Sequence, residues 1–139
     1  MERKFHDELK RRSLAEPYAQ LLDLQVVDVQ PGTAVVRMKV RPELENIFGA
    51  THGGAVFSLI DEAFQLASNT HGVWSVALNV SITYLTPPEG GTVLEAKAIE
   101  MHRTKRTSSY LCDVREVEGG KFIATAQALA YRTAKEIRF

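Results

Sequence analysis

The residues best suited to chemistry lie at the start of the longest helical segment. A polar loop ends in His52-Gly53-Gly54, and Asp61 follows in a segment that is otherwise mostly apolar. The first N–H groups of a helix have no partner within it and carry the positive end of the helix dipole. Glycine lets a ligand atom approach those groups closely. Backbone donors and a carboxylate on one rigid element are the components needed to transfer an acyl group to water.

These residues resemble the signature of a known enzyme family. Asn46, Gly49, the His52-Gly53-Gly54 run and Asp61 are similar to the motif of hotdog-fold thioesterases of the phenylacetic-acid-degradation (PaaI-like) type. The asparagine lies six residues before the histidine and the aspartate nine residues after it. The resemblance covers nearly the whole chain apart from its N-terminal leader. It implies hydrolysis of acyl-CoA thioesters with an aryl or medium-chain acyl group, and no cofactor, because CoA is part of the substrate.

The resemblance also implies a role for each residue of the motif. Asp61 is the carboxylate that attacks the thioester carbonyl or activates a water to do so. The backbone N–H of Gly53 polarises the thioester oxygen, and Gly54 is a neighbouring substrate contact. His52 orders the loop and the reacting carbonyl, and Asn46 anchors the loop. From the helix pattern alone, Asp61 could instead face water, and Gly53 could be an ordinary turn glycine.

Further substrate contacts are expected on the long helix and on the strand after it. Relatives often carry a hydroxyl on that strand to position water, but this chain has Ala77 there, which leaves the water-orienting group open. In the expected register, Asn79 and Ser81 follow Ala77 on the same face and are candidate contacts. Three aromatic side chains could contact the acyl tail or belong to the hydrophobic core: Phe57, Phe64 and Trp74. Of these, Phe57 is the candidate substrate contact.

A basic cluster occupies one predicted hairpin turn. Arg103, Lys105 and Arg106 lie there within four residues. Such a cluster is either ordinary surface charge or a contact for the phosphates of coenzyme A, which a neutral protein must bind through local positive charge.

Composition limits the class of partner. The 139 residues include 17 basic and 17 acidic side chains, and this neutrality argues against nucleic acid or an anionic membrane as the main partner. Cys112 is the only cysteine, is interpreted as a buried spectator, and allows no intrachain disulfide, as is typical of a reducing compartment. With no signal-peptide or membrane-spanning pattern, we expect a cytoplasmic protein. No metal is expected, because metal-ligand spacing is absent around His6, His71 and His102.

The chain length predicts one domain over residues 1–139, and the sequence pattern adds a helical leader over about residues 1–22. Alternating apolar and polar residues predict strands over 24–30, 33–41, 76–84, 92–101, 107–117 and 121–131. The order of two strands, one long helix at about 54–69 and four strands favours the α+β class. The resemblance implies the hotdog fold, a curved antiparallel sheet wrapped around one long central helix.

The long helix has an apolar side and a polar side. Its core-facing side comprises Val56, Leu59, Ile60, Ala63, Leu66 and Ala67. The polar side comprises Ser58, Asp61, Glu62, Gln65 and Asn69, among which Glu62 is expected to point away from Asp61 as a surface or interface carboxylate. Because the family places the helix end at a dimer interface, we expect a homodimer that pairs into a dimer of dimers, a homotetramer.

Two alternatives to hydrolysis remain at this point. A hotdog protein could bind acyl-CoA without catalysis, as a sensor, but a binder has no need of the Asp61 carboxylate. A hotdog hydratase would need a catalytic histidine and aspartate in a different loop pattern, which this chain lacks.

Overall fold

The computed structural model describes residues 1–139, which form a six-stranded sheet and three α-helices. The helices are α1 (Glu2–Ala15), α2 (Pro17–Leu21) and α3 (Gly53–Ser68), with a 3-10 turn at Pro42–Leu44. The strands are β1 (Gln25–Gln30), β2 (Thr33–Lys39), β3 (Val73–Tyr84), β4 (Val93–Arg103), β5 (Thr107–Glu116) and β6 (Phe122–Glu136). None of the helices combines the length and the apolar character needed to cross a membrane.

All strand pairs are antiparallel, in the order β1-β2-β4-β5-β6-β3, so β1 and β3 are the two edges. The sheet curves around α3, which contacts every strand. At the β1–β2 turn Gly32 has a φ of +74°, a conformation that glycine adopts at little cost. The expected α+β class, with a curved antiparallel sheet around one long central helix, is confirmed.

Three strands extend further than the sequence pattern indicates: β4 by two residues, to Arg103, and β3 and β6 by more. β3 begins at Val73 rather than Val76, and β6 continues to Glu136 rather than ending at Tyr131. These added ends pair with each other, with Val73 opposite Glu136. The pairing supplies backbone hydrogen bonds to a segment whose own side chains show no strand alternation, which is why the pattern alone missed it.

The apolar side of α3 packs into the sheet as predicted. All six residues of that side are at most 2% exposed. On β6 the facing row is Ala124, Ala126, Ala128 and Ala130, which are at most 3% exposed. Small side chains there let the helix backbone lie close to the sheet, which fixes the position of α3 and of the residues at its start.

The polar side of α3 does not simply face solvent, because the N-terminal helices cover most of it. Tyr18 Oη and Ser58 Oγ are 2.8 Å apart, and Ser13 Oγ donates to Glu62 Oε2 at 2.5 Å. Asn69 is also buried, which leaves Asp61 and Gln65 as the exposed members of that side. The expectation that Glu62 is a surface carboxylate is therefore wrong for this chain, because α1 packs over it.

A β-bulge in β3 changes which residues share a face. Ala77 pairs with Ala130 of β6, but the next paired residue is Asn79, opposite Leu129, so Leu78 is the extra residue. Side chains beyond the bulge switch faces, because each residue along a strand alternates. Val80 and Ile82 pack against the core, whereas Asn79 and Ser81 are exposed. The expectation that Asn79 and Ser81 share the face of Ala77 is wrong.

Candidate active site

The start of α3 presents one free backbone donor. His52 is the N-cap residue, and its Nδ1 accepts a hydrogen bond from the N–H of Gly54 at 2.8 Å. An Nδ1 that accepts requires a neutral ring with its proton on Nε2. The N–H of Gly53, in contrast, makes no hydrogen bond within the chain. Of the two glycine donors at this helix end, only the one of Gly53 is available to a ligand.

Asn46 organises the loop that precedes α3. Its Oδ1 accepts hydrogen bonds from the N–H groups of Phe48 at 2.9 Å and Ala50 at 3.1 Å. Its own backbone N–H donates to the carbonyl of Ala50 at 2.7 Å. These three bonds close the loop on itself, which exposes Ile47 and Phe48 almost fully at its tip.

Tyr84 is a neighbour of Gly53 that no sequence signal identifies. Its hydroxyl donates to the Gly53 carbonyl at 3.0 Å, and a side chain added at Gly53 would place its Cβ 3.2 Å from the Tyr84 ring. The close approach explains why glycine suits this position. Both residues line a small concavity of about 260 Å³, together with Asn46, Ala50, Thr51, Val56, Leu85, Thr86, Pro87, Pro88 and Ile123.

Asp61 lies in a separate and larger cavity of about 700 Å³. Its carboxylate makes no hydrogen bond or ion pair with the protein, and Ala77 lines the same cavity. Loss of hydration among the cavity walls, and then the negative charge of Glu16, raise the pKa of Asp61. A carboxylate with a raised pKa is a better proton acceptor near neutral pH. The apolar part of the wall comprises Leu9, Phe64, Leu66, Trp74, Val76, Ala77, Ile137 and Phe139.

The Gly53 donor and the Asp61 carboxylate of one chain are too far apart to act on one carbonyl group. Eight residues of helix separate them, which is about 12 Å along the axis. An oxyanion donor must lie about 3 Å from the carbonyl oxygen, and the attacking group must lie close to the carbonyl carbon. The Gly53 donor and the Asp61 carboxylate of a single chain therefore cannot act on the same carbonyl group.

Beside Asp61, a polar network joins the N-terminal helices to α3. Gln65 Nε2 donates to Glu16 Oε2 at 2.8 Å and to Glu62 Oε2 at 3.3 Å. Burial first of all, and then the neighbouring Glu16 and Asp61, raise the pKa of Glu62 to about 8, against the hydrogen bond from Ser13, which lowers it. Glu62 is thus a neutral, buried carboxyl group at pH 7. Of these residues, Gln65 could have been found from its place one turn after Asp61.

Three other predicted substrate contacts, Phe57, Asn79 and Ser81, do not lie near Asp61 in the single chain, whereas Phe64 and Trp74 line its cavity. Phe57 is half-buried and lines neither concavity, while Asn79 and Ser81 lie on the outer face. Phe64 is buried and contacts Tyr110 edge-on at 5.4 Å, and Trp74 is half exposed in the cavity wall.

The basic turn between β4 and β5 also lies outside both concavities. Arg103 Nε lies 3.6 Å from Glu100 Oε1. Lys105 and Arg106 are exposed and make no ion pair, so their charge is available to an anion.

The cysteine and two of the histidines are buried or hydrogen-bonded within the fold. Cys112 is fully buried, and burial raises the pKa of its thiol to about 12. His71 Nε2 lies 2.6 Å from Glu100 Oε2, and His6 Nε2 lies 3.1 Å from the carbonyl of Thr70. No three His, Cys, Asp or Glu side chains are grouped so as to hold a metal ion.

Comparison with known proteins decides the family. The model of a family described as the thioesterase superfamily matches residues 48–123, more than half of the chain. The chain belongs to the thioesterase superfamily. Within it, this thioesterase is 37% identical over 92 residues to the Escherichia coli acyl-coenzyme A thioesterase PaaI, which is 66% of each chain.

Solved structures place this thioesterase in the hotdog fold. It superposes on the E. coli PaaI protein with a TM-score of 0.88 and 28% identity, covering 96% of this chain and 98% of that one. A Streptococcus mutans protein solved with bound acetyl CoA superposes with a TM-score of 0.78 and 26% identity, covering 82% and 91%. The predicted resemblance to PaaI-like hotdog thioesterases is confirmed, and the protein is a thioesterase enzyme.

Proposed function

We propose that this thioesterase hydrolyses acyl-CoA thioesters, with Asp61 as nucleophile or general base and the Gly53 N–H as oxyanion donor. The main observation in favour is the N–H of Gly53 at the start of α3, which has no partner in the chain. The neighbouring N–H of Gly54, in contrast, already donates to His52 Nδ1. By their names, the E. coli relative acts on acyl-coenzyme A and the S. mutans neighbour binds acetyl CoA. Water and these groups suffice for hydrolysis, so the proposed reaction uses no metal and no cofactor beyond the CoA of the substrate.

Two branches of the reaction balance. In the first, water attacks the thioester carbon, Asp61 accepts its proton, and the departing thiolate of CoA takes that proton as the C–S bond breaks. In the second, Asp61 attacks to form a mixed anhydride and CoA leaves, and water then hydrolyses the anhydride. In both, the N–H of Gly53 stabilises the negative oxygen, and its place at a helix N-terminus adds to that effect. The free Nε2–H of His52 and the loop closed by Asn46 hold the same end of the substrate.

The active site is proposed to form between two copies of the chain. Because Gly53 and Asp61 of one chain lie about 12 Å apart along α3, a complete site needs Gly53 from one subunit and Asp61 from the other. The edge strand β3 has a free hydrogen-bonding edge and carries exposed apolar side chains, including Trp74 and Leu78 at 50% and 56% exposure. A long exposed apolar edge favours pairing with another strand. We propose a homodimer through β3.

A second contact would pair two such dimers. The outer face of the sheet exposes Ile99, Met101, Leu129 and Tyr131, each by 37% or more. Exposed apolar patches of this kind are typical of protein interfaces. They support the proposed dimer of dimers.

The two ends of the substrate would bind in different places. We propose that the apolar wall of the Asp61 cavity, including Phe64 and Trp74, accepts an aryl or medium-chain acyl group. Lys105 and Arg106, whose charges are unpaired, together with Arg103, would contact the phosphates of CoA. A reducing, cytoplasmic location suits a protein whose one cysteine, Cys112, has no partner.

The first experiment measures thiol release from a panel of aryl- and alkyl-CoA thioesters by wild type and Asp61→Asn. The variant is nearly isosteric, so it should fold, and kcat should fall by at least ~10²-fold, the usual scale for losing a general base. A single turnover in ¹⁸O-labelled water then separates direct hydrolysis from an anhydride that water opens at the aspartyl carbon, because only the latter puts unlabelled enzyme oxygen into the first acid released. A folded variant with near wild-type turnover would refute the role of Asp61.

The second experiment tests the shared site by mixing two inactive variants. Gly53→Pro removes the N–H, and His52, with φ −63° and ψ 134°, already has the conformation that proline requires before it. Gly53→Ala is the matched control, since it adds the same Cβ near Tyr84 but keeps the N–H. We expect Gly53→Pro to lower kcat by ~10²–10³-fold relative to Gly53→Ala.

Unfolding and refolding an equal mixture of Gly53→Pro and Asp61→Asn should restore activity. Half of the dimers then contain one of each subunit, and each of these has one intact site, so about a quarter of wild-type activity is expected if the site is shared. No recovery, with mixed dimers demonstrated by mass spectrometry, would place both groups of each site in one chain and contradict the shared site.

A further inference from the structure

The group that orients the attacking water is unassigned, because Ala77 has no polar atom at the place where a hydroxyl is expected. A replacement must offer a hydrogen-bond acceptor close to Asp61, because Asp61 can accept only one of the two hydrogens of a water. Gln65 follows Asp61 by four residues, and side chains with this spacing are neighbours on a helix surface. Both side chains line the same cavity as Ala77.

The amide of Gln65 is held in one orientation. Its Nε2 donates to Glu16 Oε2 at 2.8 Å and to Glu62 Oε2 at 3.3 Å. Glu62 is itself held under α1 by the hydrogen bond from Ser13 at 2.5 Å. Because the Glu16 carboxylate can only accept a hydrogen bond, a flip of the amide would lose the shorter of the two contacts. Gln65 Oε1 is left without a partner in the protein, as is the carboxylate of Asp61.

We propose that Gln65 positions the attacking water together with Asp61, in the place of the missing hydroxyl at Ala77. This inference rests on the proposed thioester hydrolysis. One hydrogen of the water points to Asp61 and the other to Gln65 Oε1. The water oxygen bonds to the thioester carbon, Asp61 takes the first hydrogen as a proton, and the C–S bond breaks. The thiolate of CoA then takes the proton from Asp61, and the second hydrogen stays on the acid.

This arrangement has two consequences. It favours the branch in which Asp61 acts as general base, because two adjacent acceptors bind one water in a fixed orientation. It also makes the N-terminal helices part of the active site, since Ser13 and Glu16 hold the network that orients Gln65. The raised pKa of Asp61, caused by burial and then by the charge of Glu16, suits a proton acceptor.

The test replaces Gln65 with methionine, which has a similar length but no hydrogen-bonding amide. Gln65→Met should lower kcat for thioester hydrolysis by about tenfold, the scale of one hydrogen bond, with little change in KM. The matched control is Gln25→Met, because Gln25 is exposed at the start of β1, the edge of the sheet opposite to β3, and its amide contacts only Asp23. That control should behave as wild type.

Hydroxylamine separates water positioning from a structural effect. This stronger nucleophile competes with water for the acyl group and gives a hydroxamate instead of the acid. Once the enzyme-free reaction of hydroxylamine with the thioester has been measured and subtracted, the ratio of hydroxamate to acid does not depend on how much enzyme is folded. We expect Gln65→Met to raise this ratio about tenfold by slowing only the reaction with water.

An unchanged ratio would overturn the role of Gln65, whether the total rate is unchanged or lowered. That failure is distinct from failure of the proposed function, in which Asp61→Asn stays active. If Asp61→Asn is inactive and Gln65→Met keeps the wild-type ratio, the hydrolysis proposal stands and only the water-positioning role is lost.

Discussion

The buried carboxyl group of Glu62 makes the stability of this protein depend on pH. Glu62 is 4% exposed, lies beneath α1 and has no cationic partner. The groups that face it are Ser13 and Glu16 from the N-terminal helices, and Asp61 and Gln65 from α3. Ionising Glu62 therefore places an unpaired negative charge inside the protein next to two other carboxylates.

The size of the effect follows from the change in pKa. Burial raises the pKa of Glu62 from 4.5 in the unfolded chain to about 8 in the folded protein. Between these values the folded state holds a proton that the unfolded state has released, so the free energy of unfolding falls by about 1.4 kcal/mol per pH unit. The contribution is fully present below pH 4.5 and is lost as the pH rises through about 8. The total loss over that interval is at most about 5 kcal/mol.

The assay is urea unfolding of wild type and Glu62→Gln at constant protein concentration between pH 5 and 9. Glutamine keeps an oxygen that can accept from Ser13 but cannot ionise. As the pH rises, wild type should therefore lose stability relative to the variant by about 1.4 kcal/mol per pH unit, and the difference should level off above pH 8. The control is Glu118→Gln, since Glu118 is exposed in the β5–β6 turn and makes no ion pair. Parallel pH profiles for wild type and Glu62→Gln would refute the reasoning.

Two further predictions concern the basic turn and the cysteine. Replacing Arg103, Lys105 and Arg106 with neutral residues should raise KM for CoA esters and leave kcat nearly unchanged. This is the result expected when a lost contact had stabilised the bound substrate and the transition state equally. The same variant should lose little with a pantetheine thioester, and equal losses on both substrates would show that the turn does not bind the nucleotide. Cys112 should react with a thiol reagent at pH 8 only after unfolding, because burial raises its pKa to about 12. Rapid labelling of the folded protein would contradict this.

Local patterns in the sequence predicted the elements that carry the site. The core side of α3 follows from helical periodicity alone, and all six predicted residues are buried. The start of the helix was also predictable, because a cap such as the one His52 makes with Gly54 involves residues two positions apart. The β1–β2 turn at Gly32 was placed for the same reason. Each of these features depends on interactions between residues that are close in the sequence.

The face of β3 and the burial of Glu62 could not be predicted in this way. The bulge at Leu78 exists only in the pairing of β3 with β6, so alternation within β3 placed Asn79 and Ser81 on the wrong face. Glu62 appeared to belong to a polar surface because its helix neighbours are polar. Its burial depends on Ser13, which lies 49 residues earlier and is brought over α3 by the packing of α1.

For this protein, the sequence by itself determined the long helix, the unpaired donor at its start, the carboxylate eight residues later and the family to which these belong. Helix geometry, capping and strand alternation are short-range, so they can be recognised from residue types and spacing. Tertiary structure alone decided which carboxyl group is exposed, which is buried and neutral, and which amide stands beside Asp61. Those properties depend on contacts between α1, α3 and the sheet, where dehydration and pairing are set by residues distant in the chain.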